Sequence, residues 1–179
     1  METKIRDRNA LNASLVQQIT AGTGITVNTT TDDGVVHRTV FTVPSTAQAV
    51  ASAALSFGKE LGTMPKINFF TNQVYVDLTY VSDGTCTVQA DIGVGTLLAS
   101  GAYTTLNDAT NEDCLDGQTS TAYNGTTPAV YEYAAFGEID IKDGGTTAKS
   151  LYLNFAGNWV TTVGLTYSGT VTVVWSKLA

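Results

Sequence analysis

Residues 67–81 read INFFTNQVYVDLTYV, and from Val74 onward every second position is apolar: Val74, Val76, Leu78 and Tyr80, with Asp77 and Thr79 among the residues between them. A period of two sends alternate side chains to opposite faces, so this stretch predicts a half-buried strand. Ile67 and Phe69 keep the opposite phase, and the break falls at Thr71, Asn72 and Gln73. A β-bulge or bend there reconciles the two phases. We read the stretch as a central strand against which the rest of the domain packs. Ser82-Asp83-Gly84 then predicts a hairpin turn. Residues 85–93 return as the partner strand, with Cys86, Val88, Ala90 and Ile92 inward.

The same pattern recurs on both sides. Residues 35–43 form a strand with Val35, Phe41 and Val43 in one phase and Val36 and Val40 in the other, so both of its faces are partly covered. Pro44 should end it, because proline cannot donate to a ladder. Residues 47–61 suit either a helix, by their alanines, or an irregular strand. Ser52, Ser56 and Gly58 tip the reading toward strand. A turn follows at 62–65. Residues 129–141 predict a strand with Tyr131, Tyr133, Ala135, Ile139 and Ile141 on one side, and Asp143-Gly144-Gly145 turns the chain. Leu151, Leu153 and Phe155 mark another strand, broken at Gly157-Asn158. Val163, Leu165 and Tyr167 make a short one, Ser168-Gly169 a turn, and Val171, Val173 and Trp175 a last one sewn into the sheet.

Seven to nine strands with turns between them define an all-β chain: an antiparallel β-sandwich, jelly-roll-like, over residues 34–179. Residues 94–128 are the least regular part, with room for a short helix at 104–115. Long loops in compact domains usually have a use, so this excursion is the first candidate for a contact surface. Residues 1–33 read as an N-terminal arm and linker. Leu11, Leu15, Val16 and Ile19 recur at helical spacing. A helix this short needs a partner surface, on its own domain or on a neighbouring subunit. Residues 21–33 add a short strand and a turn at Asp33-Gly34, the expected junction with the sandwich.

Composition narrows the partners. Sixteen acidic residues against nine lysines and arginines give a net charge of −7, which disfavours a nucleic-acid backbone as partner. No apolar run is long enough to span a bilayer, and the N-terminus lacks the apolar core of a secretory signal, so no membrane partner and cytosolic synthesis are expected. The two cysteines, Cys86 and Cys114, do not make a disulfide framework or a zinc motif.

Candidate chemistry is sparse. His37 is the only histidine and sits beside Arg38 in a strand with no motif around it. A structural role fits it better than a triad or a metal site. Asp108, Glu112, Asp113 and Asp116 are numerous enough for calcium but lack the spacing of a calcium loop, so a solvated acidic loop is the plainer reading. No cofactor, metal or catalytic set is expected, and the chain reads as a non-enzyme. Among the aromatics, Tyr103, Tyr123 and Trp159 lie near turns and are surface-contact candidates for sugar stacking or subunit contacts. The alternative is that they cap the ends of the core.

Residues 37–43, HRTVFTV, resemble the opening strand of small virion proteins of tailed bacteriophages. The alanine-rich stretch 47–54, Phe57-Gly58 and Pro65 resemble the segments that follow in that family. LYLNF at 151–155 resembles its inner strand, and GTVTVVW at 169–175 its closing strand. Gly22 to Val27, GTGITV, is similar to linkers of phage fibre proteins. Lys66 and Ile67 depart from the family, where an acidic residue and glycine are commoner. The resemblance implies a non-enzymatic capsid-decoration or head-fibre protein of the virion, synthesised in the host cytoplasm. It implies a homo-oligomer, expected to be a trimer, with Leu11, Leu15, Val16 and Ile19 anchoring it to the major capsid protein or a sister subunit. The alternatives are a carbohydrate- or receptor-binding module of a fibre or tail tip, with a host glycan as partner, and a cell-surface sandwich of a cellular host.

Overall fold

The computed structural model describes residues 19–32, 36–51, 55–82, 89–106, 111–119, 129–136, 141–142, 147–159 and 163–177. In chain order the strands are β1 (Thr20–Ala21), β2 (Thr26–Asp32), β3 (Val36–Val50), β4 (Ser56–Thr63), β5 (Phe69–Ser82), β6 (Asp91–Gly95), β7 (Leu115–Thr119), β8 (Ala129–Phe136), β9 (Ile141–Lys142), β10 (Ser150–Ala156) and β11 (Val163–Lys177). Each strand pairing is antiparallel.

Two sheets face each other. One runs β1-β4-β10-β6-β7; the other runs β2-β3-β11-β5-β8, with β9 also on β5. Set aside the edge strands β1, β2 and β9 and count the remaining eight in chain order. One sheet then holds the first, eighth, third and sixth; the other holds the second, seventh, fourth and fifth. That order is a jelly roll. The core lies between the sheets and includes Phe41, Leu61, Phe69, Leu78, Ile92, Leu151, Phe155, Tyr167 and Trp175, all buried. Burying a side chain of this size stabilises the fold by about 1.5–3 kcal/mol. Phe57 and Phe155 stack with ring centres 4.8 Å apart, and Phe155 and Tyr167 also meet at 4.8 Å. Burial pushes the Tyr167 hydroxyl up to about 12, so it stays neutral.

The phase break in β5 is a bulge. Val174 pairs with Gln73 and Trp175 with Thr71, which leaves Asn72 as the extra residue. Phe69 and Thr71 therefore face the core before the bulge, and Val74, Val76, Leu78 and Tyr80 face it after.

Four expectations are corrected. Pro44 does not end the first main strand, because β3 runs on to Val50. Val43 pairs with Gly169 and Thr46 with Tyr167, so Pro44 and Ser45 share the single residue Ser168. Pairing with β2 stops at Thr42 on the other side, and a bulge with a free edge is where a strand tolerates proline. Ser168-Gly169 is accordingly no turn, and β11 is one continuous strand of 15 residues.

The third correction concerns the expected hairpin between residues 67–81 and 85–93. β5 pairs with β11 and β8, whereas β6 lies in the opposite sheet between β10 and β7. The chain changes sheets between them. Ala90 and Ile92 are inward as expected, but alternation reports a buried face and says nothing about which strand lies alongside. The turn itself and Cys86 fall outside the described residues.

The fourth concerns residues 104–115, where the described positions hold no helix and lead into β7.

Thr20 onward belongs to the sandwich. β1 pairs with β4 in one sheet, and β2 pairs with β3 in the other. Ile25 is buried between them at 7 % exposure, and Ile19 packs half-buried on the core. The expected boundary at 33 falls between the two strands of a hairpin. Residues 1–18, with Leu11, Leu15 and Val16, lie outside the described residues.

Candidate contact surface

On β10, Leu151, Leu153 and Phe155 point into the core, so Asn154 belongs to the outer face of its sheet. Its register partners are Gly58 on β4 and Gly93 on β6. A Cβ on Gly58 would collide with Asn154 Oδ1 and approach Leu98 Cδ1 to 2.8 Å; one on Gly93 would approach the Leu115 carbonyl to 2.9 Å. Two glycines flanking one asparagine thus open a shallow bed across three strands. Residues 96–106 and 111–113 lie on that bed.

Asn154 holds them there. Its Oδ1 accepts from the Ala99 amide at 3.0 Å, and its Nδ2 donates to the Leu97 carbonyl at 2.9 Å and to the Asn111 carbonyl at 2.7 Å. Asn154 is itself fully buried, and Ala99, Leu106 and Ala156 form a small apolar cluster beside it. The acids fasten the margins. Asp91 Oδ2 accepts from the Leu106 amide at 2.7 Å. Asp113 accepts from the Thr96 amide at 2.7 Å and the Thr96 hydroxyl at 2.8 Å, and Glu112 accepts from the Gly117 amide at 2.7 Å. Burial raises the Asp91 pKa, and the Leu106 amide opposes that rise. Gly101 adds a backbone tie, its carbonyl accepting from the Leu55 and Ser56 amides at 2.8 and 3.1 Å.

With its backbone held this way the excursion turns three large apolar side chains outward: Leu97 at 50 % exposure, Leu98 at 43 % and Tyr103 at 53 %. Tyr103 was expected among the contact candidates; Leu97 and Leu98 were not. Their signal was available, since two adjacent leucines in a segment without periodicity cannot both enter a core already supplied by strands. Asn154 was missed for a different reason. It alternates correctly within its strand, and nothing in the sequence shows that its outer face is covered.

Trp159 is corrected as a surface candidate. It is 1 % exposed, and its Nε1–H donates to the Leu55 carbonyl at 3.0 Å. The Gly157-Asn158 break swings it back against the end of the sandwich. Tyr123 and Asp108 lie outside the described residues. Glu112 and Asp113 are taken up in the loop ties above, and among the described residues no group of three His, Cys, Asp or Glu side chains is placed to hold a metal.

His37 is buried in the other sheet. It stacks on Trp175 with ring centres 4.2 Å apart, and its Nδ1 meets the Thr31 hydroxyl at 2.9 Å. Trp175 Nε1–H donates to Thr39 Oγ1 at 3.0 Å, which in turn meets the Thr29 hydroxyl at 3.0 Å. Burial lowers the His37 pKa. This is a polar end to the core, satisfied by β2.

Fold and surface together define a jelly-roll β-sandwich with an excursion clamped to one outer face. No family model matches the chain, and no curated protein matches it. Among solved structures it is similar to one described as the structure of infectious bursal disease virus, Gx strain, at 8 % identity and a TM-score of 0.38. The match covers 80 % of this chain and 37 % of that one, so this chain spans little more than a third of that neighbour. The neighbour is not a tailed-phage protein, and at this similarity the fold assignment rests on the strand order itself.

Proposed function

We propose that this protein is a non-enzymatic virion structural component that works by binding other proteins. The observation that carries the reading is the clamped excursion. Asn154, Asp91, Asp113 and Glu112 spend their polar groups on fixing its backbone, while Leu97, Leu98 and Tyr103 stay in water. A rigid backbone presenting apolar side chains loses little entropy on docking. The jelly roll, an architecture shared by viral capsid and lectin domains, and the resemblance of several strands to small phage virion proteins support the same reading. Decoration of a capsid, or projection from it as a fibre, is the finer form of the proposal. Residues 1–18, which precede the sandwich, attach the domain to the major capsid protein or a sister subunit.

Cosedimentation of the purified chain with assembled shells lacking it tests this. The full chain is expected to pellet with the shells. Loss of residues 1–18 should abolish pelleting, and Leu97→Ser with Leu98→Ser should weaken it. A full chain that stays in the supernatant with every shell tried overturns the reading.

Tyr103, the most exposed of these side chains at 53 %, favours a second reading, a carbohydrate- or receptor-binding module. An exposed aromatic ring is the usual platform for a sugar face. A glycan array read with wild type and Tyr103→Ala separates the two, since only the second reading expects a glycan signal that the substitution removes.

A further inference from the structure

Among the described residues, the outer face of the second sheet leaves Arg38, Tyr75, Asp77 and Thr79 exposed, with Thr172 buried between its neighbours. Residues directly opposed on antiparallel strands share a face, so the registers order this surface into rows. The middle row holds Val40, Thr172 and Tyr75 on β3, β11 and β5. One row to one side, Arg38 lies beside Val174; one row to the other, Asp77 lies beside Thr170. Arg38, Tyr75 and Asp77 are exposed and Val40 is half-buried. The other positions of these three rows on β2, β3, β11 and β5 are uncharged. Asp77 has Glu132 of β8 as its register partner.

Arg38 and Asp77 therefore stand at opposite corners of an uncharged field with Thr172 at its centre. Strand spacing and rise put them roughly 16 Å apart, too far to pair within one chain. Face-to-face contact between two copies, about a two-fold axis lying between the faces, changes that. An axis passing over Thr172 and perpendicular to the diagonal sets Arg38 of each copy on Asp77 of the other. The two charges meet twice, and Val40 and Tyr75 are covered between them. The strands of the two copies then cross at roughly 70°, toward the orthogonal class of sheet packing.

We propose that this face is a self-complementary contact between two copies of the chain, fixed in register by reciprocal Arg38–Asp77 pairs. Such an isologous contact closes on itself as a pair. A three-fold ring joins two different patches and would not place the two residues reciprocally. The contact needs only the pure chain, so its outcome is separate from that of shell binding.

Sedimentation equilibrium of the full-length chain at low ionic strength tests it. Wild type is expected as a dimer. Arg38→Asp and Asp77→Arg should each weaken pairing by about tenfold or more, because each turns two attractions into two repulsions. The doubly reversed chain, R38D with D77R, should recover wild-type pairing to within about threefold. Both residues are exposed, so at protein concentrations too dilute for pairing every variant should melt with wild type. At pairing concentrations the single reversals should melt lower, because they lose the stabilisation that association gives. Arg38→Gln and Asp77→Asn read the same contact more gently and should weaken it less. A monomer at about 100 µM, a trimer indifferent to these charges, or single reversals that the double reversal fails to rescue would each overturn the proposal.

Discussion

Asn154 Oδ1 occupies the space that a Cβ on its register partner Gly58 would need. The glycine makes the asparagine possible, and the asparagine makes the excursion rigid. Asn154→Ala would orphan the Ala99 amide and the Asn111 carbonyl at a buried site and leave the Leu97 carbonyl only the longer bond from Asn111 Nδ2 at 3.3 Å. A loss of about 3 kcal/mol is expected in urea denaturation, given ~1–3 kcal/mol for each buried group left unpaired and partial relief by water. The Ala99 amide should lose its hydrogen-exchange protection. Unchanged stability with full protection at Ala99 would refute the clamp.

Gly58→Ala should cost about 1–3 kcal/mol in the wild-type background, since Asn154 Oδ1 and Leu98 Cδ1 must give way. In the Asn154→Ala background the same change should cost much less, because the chief obstacle is gone. A double-mutant cycle with a coupling energy near zero contradicts the direct contact.

His37 should make stability depend on acid. Burial holds its folded-state pKa below the ordinary 6.5. Between the two values the unfolded chain binds a proton that the folded chain resists. The His37 contribution is therefore fully present above pH 6.5 and is lost as pH falls toward the lowered folded-state value, by up to about 1.4 kcal/mol per pH unit. His37→Phe retains a ring against Trp175 without a titrating nitrogen. Its stability should fall less steeply than wild type below pH 6.5. Parallel curves for the two proteins would show that His37 is not the group responsible. Asp91 works in the opposite sense: its raised pKa contributes stability that is present below 3.8 and lost as pH rises through the folded-state value.

Trp159 and Tyr103 should separate cleanly in a stability assay. Trp159→Phe removes one of two donors to the Leu55 carbonyl, the Gly157 amide remaining at 2.9 Å, and leaves a void, and a loss of about 1–3 kcal/mol is expected. Tyr103→Ser touches an exposed ring and should stay within about 0.5 kcal/mol of wild type. Thermal melts of both variants check this, and equal losses would contradict the placement of the two rings.

Fold class was legible because alternation is a local signal. Val74 to Tyr80 announces a strand, and the change of phase at Thr71 to Gln73 announces its bulge. Partnership was not legible. Asp83-Gly84 is good hairpin chemistry, yet β5 and β6 on either side of it belong to different sheets, and only long-range packing decides that. The odd phase runs unbroken from Val163 to Trp175, which was available evidence against a turn at Ser168-Gly169. His37 and Thr39 likewise continue the inward phase of Phe41 and Val43, a sign that both belong to the core. Of the candidate surface, the irregular excursion and the exposure of Tyr103 were legible. Its fastening was not, because carboxylates that tie a loop and carboxylates that merely face water look alike in a sequence.

The position of β11 between β3 and β5 bears on how the domain comes into being. Both of those neighbours leave the ribosome long before the strand that joins them, and each waits with an unsatisfied edge along many residues. Native pairing across the middle of that sheet cannot be completed during translation of the first 160 residues. The nascent sandwich is therefore a two-lipped cleft. Until its last strand inserts, any other extended segment that reaches the cleft first competes for the same backbone hydrogen bonds.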